Sequence, residues 1–468
     1  MREPLASADV SVVLPDGAEV QAGTVASEGA SSSAATSLVF RYTDSYVTDP
    51  RGYDLSPDMP RTSGPIRTWS GRETLGALGD SMPDAWGKRI IRAGTPARTT
   101  LDFLTHVNDA TRQGALRLRD AQGTYLGAHN HPVAEVHDLT RIVAAARAFE
   151  AGEETDAELQ ILADAGTSAG GARPKATVTK GGELWMAKFA RETEFYDPMA
   201  WEATALALAK AAGIHTPEFD LVRLSESQSI LLSRRFDRDS DRRIGYISAH
   251  SLTTKSDNHT LSYSDLADTL AQYSPAPSDD QAELFRRIAL NLIISNVDDH
   301  FRNHGFLRDH NGWSLSPVFD LEPNRRPDHV EATPIVEGGE RYGRDIRQLR
   351  DAHDAFRLSR DDASAIVRDV AARTTDWTQV AVSYGISPEA AESSRRAIDG
   401  PNRERALAMT AGYAPPSGAS NPRSAAQKRR GQLGVPGNSG QWARTPEAGT
   451  GHDDGHGHGD GLGRDAGA

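Results

Sequence analysis

The sequence predicts an α+β architecture in two lobes, a β-rich one followed by a mostly helical one. Three observations predict it. Short alternating apolar runs cluster near the start, strands alternate with one helix over residues 151–238, and helical periodicity dominates from about Leu261 to Thr410. The 468 residues suffice for two or three cores, because single cores stop growing near roughly 250–300 residues.

From Val10 to Thr43 the runs Val10-Ser11-Val12-Val13 and Leu38-Val39-Phe40-Arg41-Tyr42 are punctuated by Pro15-Asp16-Gly17 and Gly29, the pattern of strands joined by hairpins. Residues 72–150 turn helical, with Asp84-Ala85-Trp86-Gly87 entering Arg89-Ile90-Ile91-Arg92 and a second helix over Leu139 to Phe149. Further on, Ser264 to Gln272, Gln281 to Ser295, Asp361 to Ala372 and Ala390 to Ile398 carry helical period. The expected division is a β-rich subdomain over 1–110, a mixed lobe over 111–238, a helical lobe over 239–413 and a disordered tail over 414–468. After Tyr413 the chain is Pro, Gly, Ser, Ala and Arg, ending in GTGHDDGHGHGDGLGRDAGA, with too little apolar surface to fold. His452, His456 and His458 belong to that solvated tail, with adventitious metal binding as the alternative.

Composition excludes several classes. With no cysteine, structural disulfides, thiolate zinc sites and cysteine nucleophiles are ruled out, and a reducing compartment, the cytoplasm, is expected. The opening MREPLASADVSVVLPDG has no apolar h-region, and no uncharged apolar run approaches the roughly 18 residues of a membrane span, so no membrane partner is expected. A net charge of −13 argues against a general nucleic-acid surface, which works by neutralising phosphates.

Chemistry concentrates in two places. Gly166-Thr167-Ser168-Ala169-Gly170-Gly171-Ala172-Arg173-Pro174-Lys175 precedes a strand, a Lys180-Gly181-Gly182 turn and a second strand, Glu183 to Phe189. Glycines let backbone N–H groups converge on phosphate oxygens, so Ser168, Gly170, Gly171 and Ala172 are candidate ATP-cradling residues; a turn joining two elements is the alternative. Lys188 lies in the second strand with Leu184 and Met186 on its own face, where an unpaired ammonium is costly. The next helix, capped by Asp197 and started by Pro198, offers Glu202 as its partner. A strand lysine paired with a helix glutamate is the arrangement by which protein kinases orient a lysine towards the α- and β-phosphates. Strands Phe219 to Leu224 and Ile230 to Ser233 then end in Arg234-Arg235-Phe236-Asp237-Arg238. By position between the lobes, Arg235, Phe236 and Asp237 are candidates for the adenine-contacting hinge.

The second place follows the apolar stretch Leu284 to Ser295, which delivers Asn296-Val297-Asp298-Asp299-His300-Phe301-Arg302-Asn303-His304-Gly305. Kinase catalytic loops separate a hydroxyl-positioning carboxylate from a metal-binding amide by five positions, the step from Asp298 to Asn303. Asp298 is therefore assigned as base, with His300 orienting the loop. Seventeen residues past Asn303, after the strand Trp313 to Ser316, Asp320 in Val318-Phe319-Asp320 is the second Mg²⁺ ligand. Taken singly, Asp298 or Asp320 reads as a cap or turn residue; their order along the chain makes an ATP-dependent Ser/Thr kinase site.

Ser168 to Lys175, Lys188-Phe189, Arg235-Phe236-Asp237-Arg238, the N-x-D-x-H-x-x-N string from Asn296 to Asn303 and Phe319-Asp320 resemble the HipA family, kinase toxins of bacterial type II toxin–antitoxin systems. Asp54-Leu55-Ser56-Pro57 and Pro83 to Gly87 look like that family's amino-terminal subdomain, and the resemblance spans most of residues 8–410. It implies a phosphoinositide-kinase-like bilobal protein-kinase fold, Mg²⁺ and ATP as cofactors, and phosphorylation of a protein substrate, in the best-known members an aminoacyl-tRNA synthetase. It further implies autophosphorylation at the Ser168 position and a separate helix-turn-helix antitoxin through which DNA is met only indirectly. The histidine following the catalytic aspartate, and the absence of A-P-E, separate the chain from ordinary protein kinases. Two alternatives come from other classes: a catalytically idle co-repressor of the same fold, and a metallohydrolase using Asp298, Asp299, His300 and His304.

Overall fold

Alternation of apolar and polar residues makes the first strands, each burying one face. In the computed structural model, which describes residues 6–28, 37–68, 74–127, 132–165, 173–225, 227–253, 261–323, 332–342 and 344–409, they form an antiparallel sheet. Its strands are β1 (Ser7–Val13), β2 (Glu19–Glu28), β3 (Ser37–Tyr42), β4 (Pro65–Arg67) and β5 (Leu116–Arg119), in the order β4-β3-β2-β1-β5. Val10, Val12, Val25, Phe40 and Leu118 are wholly buried. The β1–β2 turn works because Gly17 adopts φ +88° and Asp16 accepts a hydrogen bond from the Ala18 N–H. β5 pairs with β1, so residues beyond the expected boundary at 110 complete this sheet.

Helices α1 (Asp44–Thr48), α2 (Gly76–Asp80), α3 (Ala85–Gly94) and α4 (Thr100–His106) accompany the sheet, followed by α5 (Leu139–Ala151) and α6 (Asp156–Asp164). The second sheet comprises β6 (Lys175–Lys180), β7 (Glu183–Phe189), β8 (Phe219–Arg223) and β9 (Ser229–Arg234), ordered β6-β7-β9-β8, with α7 (Pro198–Ala211) between β7 and β8. Gly181 and Gly182 both take positive φ, the geometry a two-residue hairpin turn demands. Trp185, Ala187 and Phe189 bury their side of β7 in a core shared with Trp86 and Ile90 of α3 and with Ile142 and Phe149 of α5. The opposite side of β7 carries Lys188.

A short ribbon, β10 (Arg238–Asp239) and β11 (Arg242–Arg243), leads to the helical half. There β12 (Tyr246–Ser248), β13 (Gly305–Arg308) and β14 (Trp313–Leu315) make a small sheet beside α8 (Ala249–Leu252), α9 (Tyr263–Tyr273) and the buried α10 (Pro277–Ile293). Helix Arg360–Arg373 packs on α10. The single helix expected over Ala390 to Ile398 is two, Pro388–Ser393 and Arg395–Ile398, because Ser394 ends the first and its hydroxyl bonds back to the Ala390 carbonyl. Among the described residues no helix is long and apolar enough to cross a membrane.

Candidate active site

Register decides which side chains share a face of the second sheet. Lys188 of β7 stands opposite Lys175 of β6 and Leu231 of β9, and Met186 opposite Thr177 and Ser233, so these side chains share one face of the second sheet. Asp197 caps α7 by accepting the Ala200 N–H at 3.0 Å, and this sets Glu202 one turn in, pointing at that face. The Lys188 Nζ donates to Glu202 Oε1 at 2.6 Å and to Asp320 Oδ1 at 2.9 Å. Burial opposes the ammonium, yet Asp320 and Glu202 outweigh it and hold the Lys188 pKa above that of free lysine. Burial raises Glu202 above the ordinary carboxylate range despite Lys188. Asp320 is the reverse case: burial works against its charge, but Lys188, then Lys175 and His300, keep its carboxyl low. Asp320 also sits at φ +60°, a left-handed backbone that costs a non-glycine residue energy and that clusters at functional sites.

The β13–β14 hairpin explains how Asp320 returns to residues 298–303. The chain leaves α10 through Ser295, at φ +55°, runs through the loop into β13 and comes back along β14 to Pro317. Within the loop the structure separates two neighbouring acids. Asp299 is 4% exposed and fully engaged: Tyr263 Oη and Asn291 Nδ2 donate to it and His304 Nε2 lies 3.1 Å away. Asp298 is exposed, and its carbonyl accepts from Asn303 Nδ2 at 2.8 Å. The loop is thus anchored by Asp299, with Asp298 left outward. His300, expected to orient the loop, has an exposed ring, and its backbone carbonyl accepts from the Asn303 N–H at 2.8 Å.

Burial works against the Asp299 charge, but His304 and Tyr263 bring its carboxyl down to about 2. A depressed folded pKa contributes stability above the unfolded value and loses it as pH falls through the folded one. Asp299→Asn should therefore cost on the order of 2 kcal/mol at neutral pH. That cost should shrink as pH falls from the ordinary carboxylate value of 3.8 towards about 2, which urea unfolding of both proteins across that range would measure.

Several residues that order the site stand outside the motifs: Asn291, Thr333 and Arg344. Asn296 is wholly buried, bonded to Asn291 through backbone and side chain. Arg344 donates to the Asn296 carbonyl at 3.0 Å and to that of Thr333, whose hydroxyl donates to the Asp299 carbonyl at 2.6 Å. Such partners come from distant segments and leave no periodic trace in sequence.

At the expected hinge, Arg235 and Asp237 turn inward. Arg235 donates to both Asp237 oxygens and to the Thr111 carbonyl, and the Gly114 N–H donates to Asp237 at 2.8 Å. Their side chains tie this segment to residues 111–114. Phe236 is half-buried, with its ring 5.8 Å from that of Phe319, the neighbour of Asp320. Ser168, Gly170, Gly171 and Ala172 lie outside the described residues. Asp298, Asp299, His300 and His304 do not converge on one point, and among the described residues no group of three or more His, Asp or Glu is placed to hold a metal.

Comparison with known proteins adds the family. The model of the HipA N-terminal domain matches residues 17–119 and that of the HipA-like C-terminal domain residues 167–378. Among solved structures, HipA of Shewanella oneidensis MR-1, from the toxin–antitoxin complex with HipB and operator DNA, is 15% identical, with a TM-score of 0.60 over 86% of this chain and 96% of that one. The likeness is one of fold, and it is the bilobal kinase-like α+β fold. The proinflammatory kinase CtkA of Helicobacter pylori is 14% identical over 50% of this chain and 94% of that one, at a TM-score of 0.34. No curated protein matches.

Proposed function

The chain belongs to the HipA family, and from that premise we propose that it is a Mg²⁺- and ATP-dependent serine/threonine protein kinase, the toxin of a type II toxin–antitoxin system. One observation carries the reading: Lys188, on the face of the second sheet opposite its Trp185–Phe189 core, is held between Glu202 and Asp320 at 2.6 and 2.9 Å. The Lys188–Glu202 half of it is the ion pair a kinase needs in place before transfer.

The donor set fits the metal. Asn303 and Asp320 offer an amide and a carboxylate, hard oxygen ligands of the kind Mg²⁺ takes in small number while keeping water and phosphate oxygens. Asp320 is 38% exposed at its side chain, which leaves room for those other ligands. Bound there, Mg²⁺ would neutralise charge on the β- and γ-phosphates. Lys188 holds the α- and β-phosphates and is itself kept straight by Glu202. Asp298, exposed and fixed in the loop through Asn303, accepts the proton of the incoming serine or threonine hydroxyl. The hydroxyl oxygen then bonds to the γ-phosphorus as the bridging oxygen leaves with ADP.

The acceptors in this reading are a target protein, with an aminoacyl-tRNA synthetase as the family's precedent, and Ser168 in the chain itself. The neighbour solved with HipB and operator DNA supports a separate antitoxin partner. The test is to incubate the purified chain with γ-labelled ATP, Mg²⁺ and bacterial extract. A labelled extract protein is expected; ATP binding with no transfer to any protein would point instead to an idle co-repressor of the same fold.

A further inference from the structure

A second buried ion pair lies beside the Lys188 cluster, and the mechanism above does not use it. Lys175 Nζ contacts Asp84 Oδ2 at 2.5 Å, with side chains only 3% and 7% exposed. Burying an ion pair is costly, and replacing one by apolar groups is often neutral or stabilising, so its presence calls for a reason. The two residues lie 91 positions apart in the chain, Asp84 before α3 and Lys175 at the start of β6. Asp84 caps α3, accepting the Gly87 N–H at 2.7 Å, and Trp86 Nε1 in the same helix donates to the Lys175 carbonyl at 3.2 Å. Lys175 stands directly opposite Lys188 across the β6–β7 ladder, on the same face. It is therefore a second cation on the face where Lys188 meets Asp320, the acid assigned to the metal.

Resting on the kinase reading, we infer that Asp84 is a positioning residue: by pairing with Lys175 it keeps that lysine from neutralising Asp320, leaving the Asp320 carboxylate to the metal. Without the Asp84 charge, the Lys175 ammonium turns towards the acids that meet Lys188 on this face, Asp320 among them. The start of α3 thereby has a direct hold on metal binding beside Lys188. Asparagine keeps the helix cap while removing the charge, so Asp84→Asn isolates the effect.

The experiment measures Mn²⁺ binding to the full chain in the presence of ADP, by electron paramagnetic resonance, with no turnover required. Asp84→Asn should weaken Mn²⁺ binding on the order of tenfold, the scale on which groups behind a metal ligand act. The double variant Asp84→Asn/Lys175→Met should return it to near the wild-type value, because the competing cation is gone. Equal binding by wild type and Asp84→Asn, or a double variant as weak as the single one, overturns the inference. Should Asp84→Asn not fold, Lys175→Met alone decides: Mn²⁺ binding as tight as wild type is expected, and a tenfold loss overturns the role given to Asp84. A wild-type chain that binds no Mn²⁺ with ADP would instead bring down the kinase reading, and this inference with it.

Discussion

Asp298→Asn should lower phosphoryl transfer by about 10³-fold while leaving nucleotide binding near that of the wild type, on the scale of a positioned general base. Its neighbour supplies the contrast. Asp299 is buried under Tyr263, Asn291 and His304, so Asp299→Asn perturbs the loop and its stability, whereas Asp298 is exposed and makes its one described bond through its backbone carbonyl. Loss of transfer with an unchanged melting temperature is the signature expected for Asp298→Asn. Equal transfer by wild type and variant, measured as labelled phosphate on protein, would remove Asp298 from the mechanism.

Lys188→Met should abolish transfer and destabilise the fold together. Glu202 and Asp320 both bond the Lys188 ammonium, and the Glu202 side chain is 8% exposed. Removing the shared cation leaves two carboxylates facing one another, and breaking a buried pair costs about 3–5 kcal/mol. The pH dependence has a definite sign. Without Lys188 both acids are pushed up, and a group whose folded pKa is raised contributes stability at low pH that is lost as pH rises through that value. Thermal melts should therefore show a smaller deficit near about pH 5 than near about pH 8. A deficit that does not depend on pH would mean the two acids are not coupled through Lys188.

Much of this site was legible because its chemistry follows short-range rules. Lys188 could be found from an apolar strand that cannot bury a lone ammonium, Glu202 from a cap and proline that fix the start of α7, and Asp298 with Asn303 from a five-residue step. The alternation of β1, β3 and β7 and the helical period of α9 and α10 are equally local. What sequence did not reveal depends on residues far apart in the chain. The partnership of Asp84 with Lys175, the grip of Arg344 on Asn296 and the inward turn of Arg235 and Asp237 onto residues 111–114 all require the subdomains to be packed first. The strand β5 was assigned to the wrong side of a boundary for the same reason: its pairing with β1 crosses about a hundred residues and no local signal announces it. The pairing of His304 with Asp299 likewise needed the folded loop, since in sequence His300 and His304 look alike beside the two acids.

The most direct test of the central claim, that Lys188, Glu202, Asp298, Asn303 and Asp320 form a phosphoryl-transfer site, is the intact mass of the purified chain after incubation with ATP and Mg²⁺. The account predicts a gain of one phosphate that is lost in Asp298→Asn and in Ser168→Ala. A wild-type mass that stays unchanged, or a gain of phosphate undiminished in Asp298→Asn, would contradict it.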